Sequence, residues 1–64
     1  MQQNYRFTGA TYRDAFGNEK PIPDGIWPVT VLSMVTVVVG GRVMDMDTSQ
    51  WSQLKSDRKV VLIS

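Results

Sequence analysis

The sequence predicts a mainly β domain of about five strands with one short helical turn, and three observations carry that prediction. Tyr5 and Phe7 alternate with polar residues over Asn4–Thr8, the period-2 pattern of a half-buried strand. Residues 26–39 are dense in valine and threonine, which pack well on a pleated surface. Gly40-Gly41 separates two apolar runs, the signature of a two-residue hairpin turn whose central residues both take positive φ.

After the first strand, Gly9 interrupts and Thr11-Tyr12-Arg13 resumes extended structure. Asp14–Glu19 reads as a tight reversal, because Gly17 and Asn18 tolerate positive φ. Lys20-Pro21-Ile22-Pro23-Asp24-Gly25 reads as irregular loop: its two prolines favour extended polyproline-like geometry and Asp24-Gly25 favours a turn. Ile26–Val39 reads as one long strand bent near Ser33, since Ser33-Met34 contains no strong turn former. Pro28 lacks an N–H, so this end of the strand belongs on an edge, at a start or at a bulge.

The glycine pair also sets a register. It opposes Val39 to Arg42, Val37 to Met44 and Val35 to Met46 on one face, which is mainly apolar. The other face opposes Val38 to Val43, Thr36 to Asp45 and Met34 to Asp47, turning polar away from the turn. Val35, Val37, Val39, Met44 and Met46 are therefore expected inside, with Asp45 and Asp47 outside. Asp47-Thr48-Ser49-Gln50 is a helix start in which Asp47 caps the first turn and Gln50 reaches back as a capping box. Trp51 and Leu54, three apart, share one face of the helix. Ser56-Asp57-Arg58 ends it, and the apolar run Lys59–Ile63 reads as a final strand covered on both faces.

In order of elements (strand, long loop, long bent strand, tight hairpin, strand, helical turn around 48–55, strand) the chain resembles SH3-like small barrels. That resemblance implies a small closed barrel and transfers no binding residues, because no acidic-aromatic signature stands in the long loop. Fold alone does not give function.

The 64 residues form a single domain, 1–64. At this length folding buries only roughly 60% of the unfolded chain's surface, so staples or a partner subunit are common. There is no cysteine and no histidine, which excludes disulfides and thiolate or imidazole metal ligands. The same absence removes the commonest general base and the best nucleophile. No catalytic, cofactor or metal residues are assigned, and the chain is read as non-enzymatic. Asp45 and Asp47, two apart on a strand, are read as solubilising the outer face, with Asp47 also capping the helix, rather than as a cation site. Seven basic against six acidic residues give a net charge of +1, which provides no broad electrostatic case for nucleic acid. The polar stretch Met1–Arg6 lacks the apolar region of a signal peptide. No run approaches the roughly 20 apolar residues of a spanning helix. A cytoplasmic location with no membrane association is the expectation.

The leading functional reading is a protein-interaction module, of the style of a small accessory or inhibitory protein of phages and other mobile elements, docking on a host protein. Its expected surface is the region Tyr12–Trp27, with Tyr12, Phe16, Ile22 and Trp27 as anchors. Tryptophan and tyrosine are enriched at binding hot spots, and functional residues concentrate on loops. One alternative is a nucleic-acid binder using Tyr5, Arg6, Tyr12, Arg13, Lys55, Arg58 and Lys59, in which aromatics stack on bases and cations neutralise phosphate. Another is a homo-oligomeric structural subunit, because the uncharged Val35–Val39 strand needs a neighbour on both sides.

Overall fold

The computed structural model describes residues 2–63; Met1, which opens the polar N-terminal stretch, and Ser64 lie outside them. The elements are β1 (Gln2–Phe7), β2 (Thr11–Arg13), β3 (Glu19–Pro21), β4 (Gly25–Val31), β5 (Val35–Val39), β6 (Arg42–Met46), α1 (Thr48–Ser56) and β7 (Val60–Leu62). Five strands form one antiparallel sheet in the order β6-β5-β4-β1-β7, and β2 and β3 form a separate two-stranded ribbon. The fold is mainly β, with the helix directly before the last strand, as expected. The two edges of the sheet, β6 and β7, do not pair, so the sheet is not closed into a barrel.

The hairpin at Gly40-Gly41 has the expected register, Val39 opposite Arg42 through Val35 opposite Met46. Both glycines sit at positive φ, 54° and 84°, a conformation that costs other L-residues about 1–2 kcal/mol. Val35, Val37, Val39, Met44 and Met46 are all buried, whereas Asp45 and Asp47 are exposed.

Three sequence expectations are corrected. Residues 26–39 are two strands rather than one bent strand: β4 and β5 run antiparallel, with Val31 opposite Val35. Leu32-Ser33-Met34 reverses the chain, and Leu32 N–H donates to the Met34 carbonyl at 2.9 Å. A three-residue reversal keeps odd-numbered side chains on the same face before and after it, so the alternation passes through the turn unbroken. The loop expected over 20–25 begins within β3, which pairs with β2 from Thr11 opposite Pro21 to Arg13 opposite Glu19, and ends at Gly25 in β4. Pro21 is tolerated because the ribbon gives it an edge position. Finally, β7 is an edge strand covered only at Val60, which is buried, while Val61 and Leu62 are half-exposed.

One face of the sheet carries the core. Tyr5, Phe7, Val29, Val35, Val37, Met44, Met46 and Val60 pack under Trp51 and Leu54 of α1, together with Ala10 and Ile22. Trp51 meets Tyr5 edge-on at 4.9 Å between centroids and Phe7 at 6.2 Å; such aromatic pairs add about 0.5–1.5 kcal/mol beyond burial. Asp47 caps α1 as expected, its carboxylate accepting from Gln50 N–H at 2.8 Å. The helix closes in a Schellman arrangement, with Arg58 N–H donating to Lys55 O and Lys59 N–H to Leu54 O. Arg58 stands at φ 57°, where glycine is usual. No helix among the described residues is long and apolar enough to cross a membrane.

Candidate functional site

The segment between β1 and β4 is tied down at successive levels. At its base, Gly9 N–H donates to the Asp24 carboxylate at 2.9 Å. One step further, Ile22 N–H donates to Ala10 O, and both side chains enter the core at 2% exposure. Midway, the side-chain amide of Gln50 bonds the main chain of Arg13 twice. It accepts from Arg13 N–H at 2.6 Å and donates to Arg13 O at 3.1 Å. Gln50 therefore does not complete the expected capping box; its side chain is committed to the ribbon instead.

The tip of the ribbon is built on Asp14. Its carboxylate accepts from Phe16 N–H and Asn18 N–H, each at 2.9 Å, and pairs with Lys20 at 3.2 Å. Asp14 N–H meets Asn18 O and Gly17 N–H meets Asp14 O. These contacts, the Asn18 amide foremost and then Lys20 and the Phe16 amide, hold the Asp14 carboxyl below its ordinary value. Short polar side chains that bond their own following amides stabilise turns in this way. The product is an ordered tip that leaves Phe16 89% exposed.

Between this ribbon and β6 lies an open groove of about 510 Å3. One wall is Tyr12–Phe16 with Lys20; the other is the consecutive run Val43–Asp47, with Met34 at one end and Gln50 beneath. The groove combines apolar surface from Met34, Val43, Met44 and Met46 with the charges of Arg13, Asp45 and Asp47 and the Asp14–Lys20 pair. A second cleft, about 480 Å3, lies between the ribbon and α1 and is lined by polar residues including Glu19, Gln53, Asp57 and Lys59. Among the described residues no buried side-chain polar atom lacks a partner, so neither cleft contains a stranded group aimed at a ligand.

The chain matches no family model, no curated protein and no solved structure. Its chemistry is read from its own side chains alone.

Of the four expected protein-binding anchors, the structure brings Tyr12 and Phe16 together in the groove. Ile22 is corrected to a core residue: the ribbon base turns it inward opposite Ala10, out of reach of a partner. Trp27 is half-buried against the core, its Nε1–H donating to Pro23 O at 2.7 Å. Its ring lies over Gly25, where a Cβ would stand 2.8 Å from Cζ2.

The alternative nucleic-acid set is dispersed. Tyr5 is buried against Trp51, so it has no face left for a base. Arg6 projects from the other side of β1, as the alternation requires. Arg13 belongs to the groove, while Lys55, Arg58 and Lys59 surround the C-terminal end of α1. Asp45 accepts from Thr36 Oγ1 at 2.8 Å across the strands and Asp47 serves the helix cap. Gln50 N–H first, then the Ser49 hydroxyl, hold the Asp47 carboxyl below its ordinary value.

Sequence reasoning missed Met34, Met44, Met46 and Gln50 as groove residues. The available signal was the ribbon itself, since Thr11-Tyr12-Arg13 and Glu19-Lys20-Pro21 flank the Asp14 turn symmetrically.

Proposed function

We propose that this protein is a non-enzymatic interaction module that binds a partner protein in the groove between the β2–β3 ribbon and β6. The observation that supports this reading is Phe16, a large aromatic left 89% exposed on a tip whose main chain is fixed by Asp14. An exposed aromatic adds nothing to folding, yet burying it against a partner contributes about 1.5–3 kcal/mol. Fixing its backbone beforehand lowers the ordering cost of binding. Tyr12, half-buried beside it, supplies a second aromatic contact with a polar end.

The small size and the lack of cysteine and histidine suit an accessory or inhibitory protein that acts by occupying a surface of its target. On this reading the strand order, with the helix before the last strand, belongs to an SH3-like design whose sheet stays open. Affinity capture from nuclease-treated host lysate, comparing the wild type with Phe16→Ser, tests the assignment. Loss of the captured partner with unchanged circular dichroism is expected. Equal capture by both proteins rejects the groove as the docking site.

A homo-oligomeric role is the second reading, favoured by one observation. The free edge β7 is uncharged over Val60–Leu62, with Val61 and Leu62 half-exposed, and edges of this kind template pairing. Sedimentation across a range of concentrations decides it; a strict monomer at the highest concentration removes it.

A further inference from the structure

We infer that the groove takes an extended segment of the partner, added as a strand to β6 and carrying a lysine or arginine opposite Asp45. This inference rests on the groove being the docking site and specifies what enters it. It follows from which main-chain groups β6 leaves free. Val39 and Arg42 flank the two-residue turn, so their main-chain groups face each other across it. In an antiparallel pair this orientation alternates residue by residue. Arg42, Met44 and Met46 therefore direct N–H and C=O toward β5, and Val43 and Asp45 direct theirs away from it. Among the described residues β6 pairs with β5 alone, and Val43 and Asp45 both line the groove. The wall of the groove is thus a row of donors and acceptors spaced for one more strand, which is the recognition chemistry of β-augmentation.

The side chains then specify the occupant. An antiparallel strand would oppose Asp45, Met44 and Val43 with three successive residues. The middle one points between Met44 and the Tyr12–Phe16 wall, where a large apolar side chain fits. The outer two lie beside Asp45 and Val43. The Asp45 carboxylate accepts only a hydroxyl hydrogen bond from Thr36, and no cation is paired with it among the described residues. Opposite charges directly across a strand pair are favourable, so the residue facing Asp45 is basic and the one facing Val43 is apolar. The preferred segment reads basic–large apolar–apolar.

Peptides selected from a displayed random library on the intact protein provide the probe. Val43→Pro removes the outward N–H without touching the β5 ladder, at an edge position where proline is tolerated and a side chain 63% exposed. Val43→Thr keeps the N–H. Selected peptides are expected to bind Val43→Pro about tenfold more weakly and Val43→Thr as they bind the wild type. Methylating the peptide amide opposite Val43 should give the same loss, whatever Val43→Pro does to folding. A basic-to-glutamate change in the peptide should weaken binding and be rescued by Asp45→Lys. Peptides that need Phe16 but tolerate both Val43→Pro and amide methylation overturn strand addition and leave the docking groove standing. Peptides indifferent to Phe16→Ser as well overturn both.

Discussion

The side-chain amide of Gln50 stands against the main chain of Arg13 as a partner strand would, accepting from its N–H and donating to its carbonyl across 37 positions of sequence. Because Gln50 N–H is simultaneously held by the Asp47 cap, the helix start and the ribbon are positioned by one residue. Replacing Gln50 by alanine removes both bonds to Arg13 and is expected to cost about 1–2 kcal/mol. The ribbon should loosen more than the sheet. Hydrogen exchange of amides 12–20 should accelerate while those of β5 stay protected, and uniform acceleration would show that the ribbon and sheet open together.

Trp51 and Phe16 make opposite predictions from the same side-chain class. Trp51 is 4% exposed and stacked edge-on against Tyr5; truncation to alanine should cost about 3–5 kcal/mol. That is a large share of the total stability of a domain this small, so Trp51→Ala should unfold at or near room temperature. Phe16→Ser should change stability by no more than about 0.5 kcal/mol. Thermal melts of the two variants side by side check the contrast.

Arg58 holds the left-handed position that ends α1 at φ 57°. Glycine at this position relieves the Cβ strain while losing some entropy in the unfolded chain. Arg58→Gly should therefore raise stability by about 0.5–1 kcal/mol. A higher denaturation midpoint at unchanged slope is the expected reading, and a lower one would contradict the strain.

Acid should act on the tip and the cap together. Asp14 and Asp47 both have carboxyl groups held below the ordinary value of 3.8, chiefly by the Asn18 and Gln50 amides respectively. A carboxyl depressed in the folded state binds fewer protons there than in the unfolded chain, so its contribution is complete above the ordinary value and fades as pH falls through the folded one. The thermal midpoint should be flat from neutrality to about pH 5 on account of these groups and decline below about pH 4. Asp47→Asn, which keeps the accepting oxygen but cannot titrate, should decline less steeply over the same range.

The parts of the fold legible in sequence were those where one residue type answers one geometric need. Gly40-Gly41 fixed a turn, and with it the register and facing of ten strand residues. Asp47 likewise marked the helix start. The β4–β5 reversal was illegible because Leu32-Ser33-Met34 contains none of the usual turn residues and preserves the parity of the valines around it. Ile22 looked exposed, as a lone apolar residue between two prolines; only its juxtaposition with Ala10 across the ribbon base buries it. At the candidate site, Phe16 was legible as an exposed aromatic in a turn and Tyr12 as part of an extended segment, where it stands half-buried in β2. The methionines of the opposite wall were not, because they are core-facing residues of a strand whose free edge is known only once the sheet order is.

The ribbon's tip makes its contacts within itself, around Asp14, while the residues that join the ribbon to the domain are Gly9, Ala10, Tyr12, Arg13, Ile22 and Asp24. Residues 15–18 are therefore uncoupled from the stability of the sheet. They can be exchanged for other sequences at little cost to folding, provided Asp14 still closes the turn and glycine is kept at position 17, where φ is 82°. A molecule divided in this way can change what it recognises without relearning how to fold, and the same division makes it a ready framework on which to graft a new recognition loop.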